Sequence, residues 1–147
     1  MKDITIIIIL ICLLAVPVSW ADEEHIGSIK TLEGTVEIIR QGITVEPAAG
    51  TRLFGRDTVK TGRNGSAGII LRDDTILSLG PDSMLDMKEF RFDPHRKDYS
   101  LVVRMLRGTF IFISGVIAKL SPDSIKIETP DGTVAIRGTR LAVQIQD

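Results

Sequence analysis

The 147-residue chain holds one cysteine, one tryptophan, one tyrosine and two histidines. Each scarcity removes a class of chemistry. A single cysteine, Cys12, cannot form an internal disulfide, and it sits in an apolar N-terminal run. The remainder therefore has neither a thiol nucleophile nor a thiolate metal ligand. His95 has Asp93 and Asp98 near it in sequence and His25 stands alone, whereas a closed zinc site asks for four placed ligands. No metal and no cofactor are expected. Charge of one sign is lacking too. Eighteen Lys and Arg against 19 Asp and Glu leave a formal net charge of −1, with both signs interspersed. That balance argues against nucleic-acid binding, which calls for a basic excess. Walker loops, dinucleotide glycine fingerprints and nucleophile elbows are missing. The adjacent carboxylates Asp73 and Asp74 would point to opposite faces of a strand or cap amides in a turn. No enzyme is expected.

Nor does any run reach the roughly 20 apolar residues that a spanning helix needs. The longest, Ile4 to Val16 with only Thr5 polar, follows Lys2 and Asp3 and is ended by Pro17. Ser19 and Ala21 then supply small residues at the positions a signal peptidase reads. This is the layout of a cleavable secretory signal spanning 1–21, with an uncleaved anchor as the competing reading. A lipoprotein signal fits poorly, because Ile11 precedes Cys12. Cleavage would remove one base and one acid, leave the net charge unchanged, and leave 22–147 as one domain without cysteine.

What is present is β structure. Short β-branched runs alternate with Gly, Asn and Asp turns. Strands are expected at Ile26–Leu32, Thr35–Arg40, Ile43–Glu46, Thr58–Lys60, Ala67–Leu71, Thr75–Leu79 and Met84–Phe90. Further strands are expected at Tyr99–Leu106, Thr109–Ile113, Ser124–Glu128, Thr133–Ile136 and Arg140–Ile145. Asn64-Gly65 is the strongest hairpin signal. Arg91 to Asp98 reads as an exposed loop, and Ser114 to Asp123 as a short helix or irregular loop. About a dozen strands with no long helix exclude a doubly wound sheet. An all-β single domain is expected, either a β-sandwich or a short β-coil of stacked hairpins.

The order of several phrases adds to this. Leu53–Asp57, Thr58–Gly62, Ala67–Leu71 and Arg72–Leu79 are followed by Leu106–Phe110 and the closing run Ile127–Val143. That run includes Thr129-Pro130 and Arg137-Gly138-Thr139. Together they resemble the FecR domain, over a core of 26–143. Two departures concern turns: Arg56 separates Gly55 from Asp57, and Asp74 stands where the family often has Gly. The resemblance implies a periplasmic β-module of bacterial signalling proteins. FecR-type sensors also carry a cytoplasmic sigma-factor-binding region and a transmembrane helix upstream, for which the residues before Ile26 leave no room. A freestanding exported domain is expected.

The expectation is thus a non-enzymatic protein-interaction module of envelope sensing. By resemblance, its partner could be the signalling region of a TonB-dependent receptor or another envelope protein. A cell-wall module that binds glycan is the alternative. Tyr99 and five Phe offer few aromatic platforms for that, once Trp20 is removed with the signal. Oligomeric state is left open. Aromatics and Arg dominate interface energies, so the candidate partner-binding residues are Phe90, Arg91, Phe92 and Arg96 in the charged segment, with Arg137 and Arg140 near the end. Gly138 and Thr139 read as a backbone bend and a strand start.

Overall fold

Alternating β-branched residues that can bury only one face must pair and then cover that face, and this chain does both with one sheet. The computed structural model describes residues 23–146; the expected secretory segment, with Cys12, Trp20 and the Ala21 cleavage point, lies outside the described residues. Twelve strands follow in order: β1 (Gly27–Glu33), β2 (Val36–Arg40), β3 (Ile43–Val45), β4 (Arg52–Leu53), β5 (Thr58–Thr61) and β6 (Ser66–Leu71). Then come β7 (Ile76–Leu79), β8 (Met84–Asp93), β9 (Asp98–Ile113), β10 (Ile125–Thr129), β11 (Gly132–Val134) and β12 (Arg140–Ile145). One short helix, α1 (Val116–Leu120), and a 3-10 turn at Pro122–Ser124 link β9 to β10.

The sheet is curled over along one line of corners. On one side of that line the order is β4-β1-β6-β7-β9-β12. On the other it is β3-β2-β5-β8-β9-β10-β11. Strand β9 belongs to both layers. Its first half pairs with β8 and, in parallel, with β10. Its second half pairs with β7 and β12. The layers share a single core, to which one contributes Ile29, Ile69, Leu77, Phe110 and Phe112, and the other Ile38, Val59, Leu85, Val103 and Met105. Sandwich and coil therefore merge: the chain winds from layer to layer in rungs, β1 with β2, β6 with β5, β7 with β8, and the two halves of β9 with each other. Such corners are where strands switch sheets by bends and bulges.

The corner is polar and glycine-rich, with Thr61 and Ser83 fully buried, for one reason: successive rungs meet there backbone to backbone. Gly62 N–H donates to Thr35 O (2.9 Å), Asp82 N–H to Gly62 O (3.0 Å) and Gly80 N–H to Thr109 O (2.9 Å). The buried Thr61 hydroxyl donates to Gly80 O (2.7 Å) and accepts from Ser83 N–H (2.9 Å), while Thr109 N–H donates to the Ser83 hydroxyl (3.1 Å). A Cβ on Gly65 would run into Thr35 O, and one on Gly108 into Ser83. Gly108 also takes φ +94°, where L-residues are strained. Leu106 has no partner on β8, since Met84 pairs with Arg107 and Leu85 with Met105. The bulge and bend together shift the inward face from Leu101, Val103 and Met105 to Phe110 and Phe112.

Three expectations are corrected by this corner and the opposite, open end, and a fourth, left between helix and loop, is decided there. Tyr99–Leu106 and Thr109–Ile113 are one strand, because Gly108 bends the chain without ending it. Asn64-Gly65 does not close a hairpin: β5 and β6 pair with different neighbours, and the glycine is there for close approach. Two-residue hairpins lie instead at Gln41-Gly42 (φ +50° and +78°), between β2 and β3, and at Pro130-Asp131, between β10 and β11. Arg91–Asp98 is strand at both ends: β8 runs on to Asp93, β9 starts at Asp98, and a bulge at Lys88 turns Phe90 and Phe92 to the core side. Ser114–Asp123 holds α1, which crosses the open end. The buried Asp73 carboxylate accepts from Thr75 N–H (3.2 Å), the Thr75 hydroxyl (2.8 Å) and Ile117 N–H (3.2 Å), capping the helix from another element. Asp74 takes the left-handed φ of +66° that glycine would supply.

Gly108→Ala should cost about 3 kcal/mol, from strain plus overpacking against Ser83. Gly42→Ala should cost about 1 kcal/mol, since its Cβ meets nothing within 4 Å and only backbone strain remains. Urea denaturation of both variants checks the difference; equal losses would remove the close-approach argument.

Candidate functional site

Where β4 crosses to β5 at the open end, the chain makes a tight turn through Phe54–Asp57. Arg56 takes φ +67° there and returns the backbone to β8, with Arg56 N–H on Met87 O (2.7 Å) and Met87 N–H on Asp57 O (2.9 Å). The Asp57 carboxylate is fully buried and accepts Phe54 N–H at 2.9 Å. Arg40, at the end of the neighbouring β2, donates to both its oxygens, Nε at 2.9 Å and Nη2 at 2.7 Å. Its Nη2 also reaches Arg52 O at 3.1 Å. The guanidinium lies 4.6 Å from the centroid of the Phe54 ring. The hydrogen bonds to Asp57 raise the pKa of Arg40 above its ordinary value, against the opposing effect of burial. A buried carboxylate gripped in this two-pronged way is satisfied, and it locks β2, β4 and β5 together.

That grip forms one wall of an open cleft of about 790 Å³. Phe54, Arg40 and Arg56 line one side, and Lys88, Glu89 and Arg91 of β8 the other. Because β5 starts only at Thr58, which pairs with Asp86, the edge of β8 beyond Met87 faces this cleft without a partner strand among the described residues. Arg91 is exposed and paired with Glu89 and, at 2.9 Å, with Asp98, whose hydrogen bond raises its pKa. Arg56 and Lys88 are exposed and have no acidic partner among the described residues. The cleft thus offers a stacked Arg-on-Phe platform beside two free cations, a surface that can hold a carboxylate-bearing partner.

The expected site residues fall in two places. Phe90 and Phe92 are half-buried and packed on the core, and Phe92 lies 6.1 Å from Tyr99 ring to ring. They anchor the β8–β9 hairpin, and Arg91 between them reaches the cleft. Arg96 is exposed in the hairpin turn, which Asp93 organises by accepting His95 N–H (3.0 Å) and Arg96 N–H (3.2 Å). Arg137 and Arg140 are exposed at the start of β12, with no hydrogen bond or ion pair joining them to the hairpin among the described residues. Gly138 takes φ +134° with open space around a Cβ, so backbone conformation alone accounts for it. Arg40, Phe54, Arg56 and Lys88 are additions. Arg40 and Asp57 are far apart in sequence and meet only through the β2–β5 register, which no local pattern announces.

A family model described as FecR protein matches residues 57–147. No curated protein and no solved structure matches the chain.

Arg40→Ala would leave Asp57 buried with Phe54 N–H as its remaining donor and should cost about 3 kcal/mol. Arg40→Lys should recover part of this, because an ammonium is a point charge and cannot bridge both oxygens. A double-mutant cycle with Asp57→Ala, read by urea denaturation, checks the pairing; a coupling near zero would make it an incidental contact.

Proposed function

The chain belongs to the FecR family, and on that premise we propose that it is an exported periplasmic module that works by docking an envelope protein. The family is associated with envelope signalling. The finer reading rests on one observation: the free cations Arg56 and Lys88 beside the Arg40–Phe54 platform, held on a turn fixed by a buried ion pair. The lining sets Arg40, Arg56, Lys88 and Arg91 against Glu23, Asp57 and Glu89, and its two unpaired cations favour an acidic face of a folded partner; electrostatic complementarity of this kind sets encounter rate and register. The signalling region of a TonB-dependent receptor is the partner the reading favours. The apolar leader Ile4–Val16 supports export.

In vivo crosslinking of the tagged protein in its host, followed by mass spectrometry, tests this. The expected result is a dominant envelope-protein crosslink and a mature chain starting at Asp22. Arg56→Glu combined with Lys88→Glu should lower the crosslinked fraction several-fold with little change in thermal midpoint, both side chains being exposed. Retention on cell wall without a protein crosslink would overturn the reading in favour of a glycan-associated role.

A further inference from the structure

The rungs of the curled sheet do not end evenly. Counted outward from β9, β7 stands across the corner from β8, β6 from β5, β1 from β2, and β12 from β10. Strand β11 has no counterpart. The place beside β12 and across from β11 is one strand wide and is filled by none of the described residues, and we propose that it receives an extended peptide segment of a partner, added to β12 as a further strand.

Three observations carry this. The first is the hydrogen-bond phase of β12. Ser114 N–H donates to Thr139 O, and Gly80 N–H donates to Thr109 O. Together with the β9 registers, these place the backbone groups of Leu141, Val143 and Ile145 toward β9. Those of Arg140, Ala142 and Gln144 face the open edge. The second is apolar cover. Leu141, Val143, Ile145 and Val134 are only partly buried, while Phe110 and Phe112 on the neighbouring strand are closed off. A hollow of about 420 Å³ lies between Val134 of β11 and Val143 and Ile145 of β12. Val134 also borders a second hollow of about 670 Å³, reaching Ile136 and Arg137. The third is the lack of guarding. The other edges are blunted: β3 and β11 have 3 residues, β4 has 2, and the free part of β8 carries the Lys88 bulge and alternating charges. Strand β12 has 6 residues in unbroken register, with no proline, lysine or bulge.

Geometry and charge select the occupant. Two copies joined edge to edge through β12 about a two-fold axis would each bring β10 to the place where β11 of the other lies, so symmetric dimerisation is blocked. A lone strand fits. The open-end side of the groove is lined by Arg137 and Lys126 against Asp123, Arg140 is exposed at the start of β12, and the three bases have no acidic partner among the described residues. The segment should therefore be about as long as β12, alternate apolar and polar residues, and carry a carboxylate at the end that meets Arg137 and Arg140. This surface is distinct from the cleft and independent of the envelope-sensing reading.

A random peptide library displayed on phage and selected on the purified protein tests it. Enriched peptides should alternate apolar and polar positions and end in Asp or Glu. Ala142→Pro removes an outward N–H without touching a bond to β9, and should weaken binding at least tenfold at an unchanged thermal midpoint. Arg137→Glu with Arg140→Glu should do the same, while Arg56→Glu with Lys88→Glu should leave peptide affinity unaltered. Bound peptide should slow amide exchange at Ala142 and Gln144. Equal binding to wild type and Ala142→Pro, or no enrichment of alternating sequences, would overturn the proposal. So would a sedimenting dimer that Ala142→Pro dissolves, because the occupant would then be a second copy.

Discussion

Everything else in this molecule depends on backbone meeting backbone along the corner. A sheet of short strands buries only one face, and two layers form only if the chain crosses from one to the other without stranding its N–H and C=O groups. Here the crossings stack, and each supplies partners to the next. Thr35 accepts from Gly62, Gly62 from Asp82, and Thr109 from Gly80, with the Thr61 and Ser83 hydroxyls filling the spaces between. Such a ladder works only at van der Waals approach, which sets the glycines at 65 and 108. The hydrophobic core is a consequence of this closure as much as its cause, because burial of Phe110 requires that β9 has already changed layers.

At the open end the same closure is achieved with carboxylates. Asp73 ties the β6–β7 turn to α1, and Asp57 ties the β4–β5 turn to β2 through Arg40. Both are buried, and each accepts at least three donors. A buried carboxylate with fewer partners would destabilise the fold, so these clusters specify geometry more than they add stability. They do for this chain what disulfides do in many small exported domains, joining segments distant in sequence. The functional consequence is that the cleft is built on one of these clusters: Arg56 is presented by a turn that cannot relax without unseating Asp57.

The sequence made strand content legible and corner content misleading, for a physical reason. Alternation reports which face is buried, so β2, β6 and β12 fall close to where the pattern puts them. It does not report which strand is the neighbour. Asn64-Gly65 has the composition of a hairpin turn, but glycine serves close approach as readily as positive φ, and only the tertiary structure separates the two uses. The same ambiguity split β9 at Gly108. The bulge at Lys88 was invisible because one inserted residue leaves local composition unchanged while it inverts the faces that follow. Phe90 and Phe92 thus became core anchors where alternation would have exposed one face of the strand. Arg91, Arg137 and Arg140 were legible as exposed cations; Arg40 was not, since its role is set by a partner on another strand.

Stacked rungs touch only their neighbours, so the last rung is held from one side. Strand β12 rests on β9 alone, and β11 on β10 alone. An end rung of this kind is where a sheet can accept an added strand without rearranging what lies behind it, and where the cost of leaving Leu141, Val143 and Ile145 partly wet is already built into the fold. The span matched by the family, 57–147, contains β5 to β12 and therefore the whole open rung. Of the cleft it contains Asp57, Lys88 and Arg91 but not Arg40, Phe54 or Arg56. The two surfaces consequently stand on different footings. Strand acceptance follows from the architecture of the matched body, and any chain that keeps an unpaired β12 across from β11 inherits it. The charged cleft follows from residues that precede the matched span, so it is the surface on which this chain can differ in partner from others of the same fold.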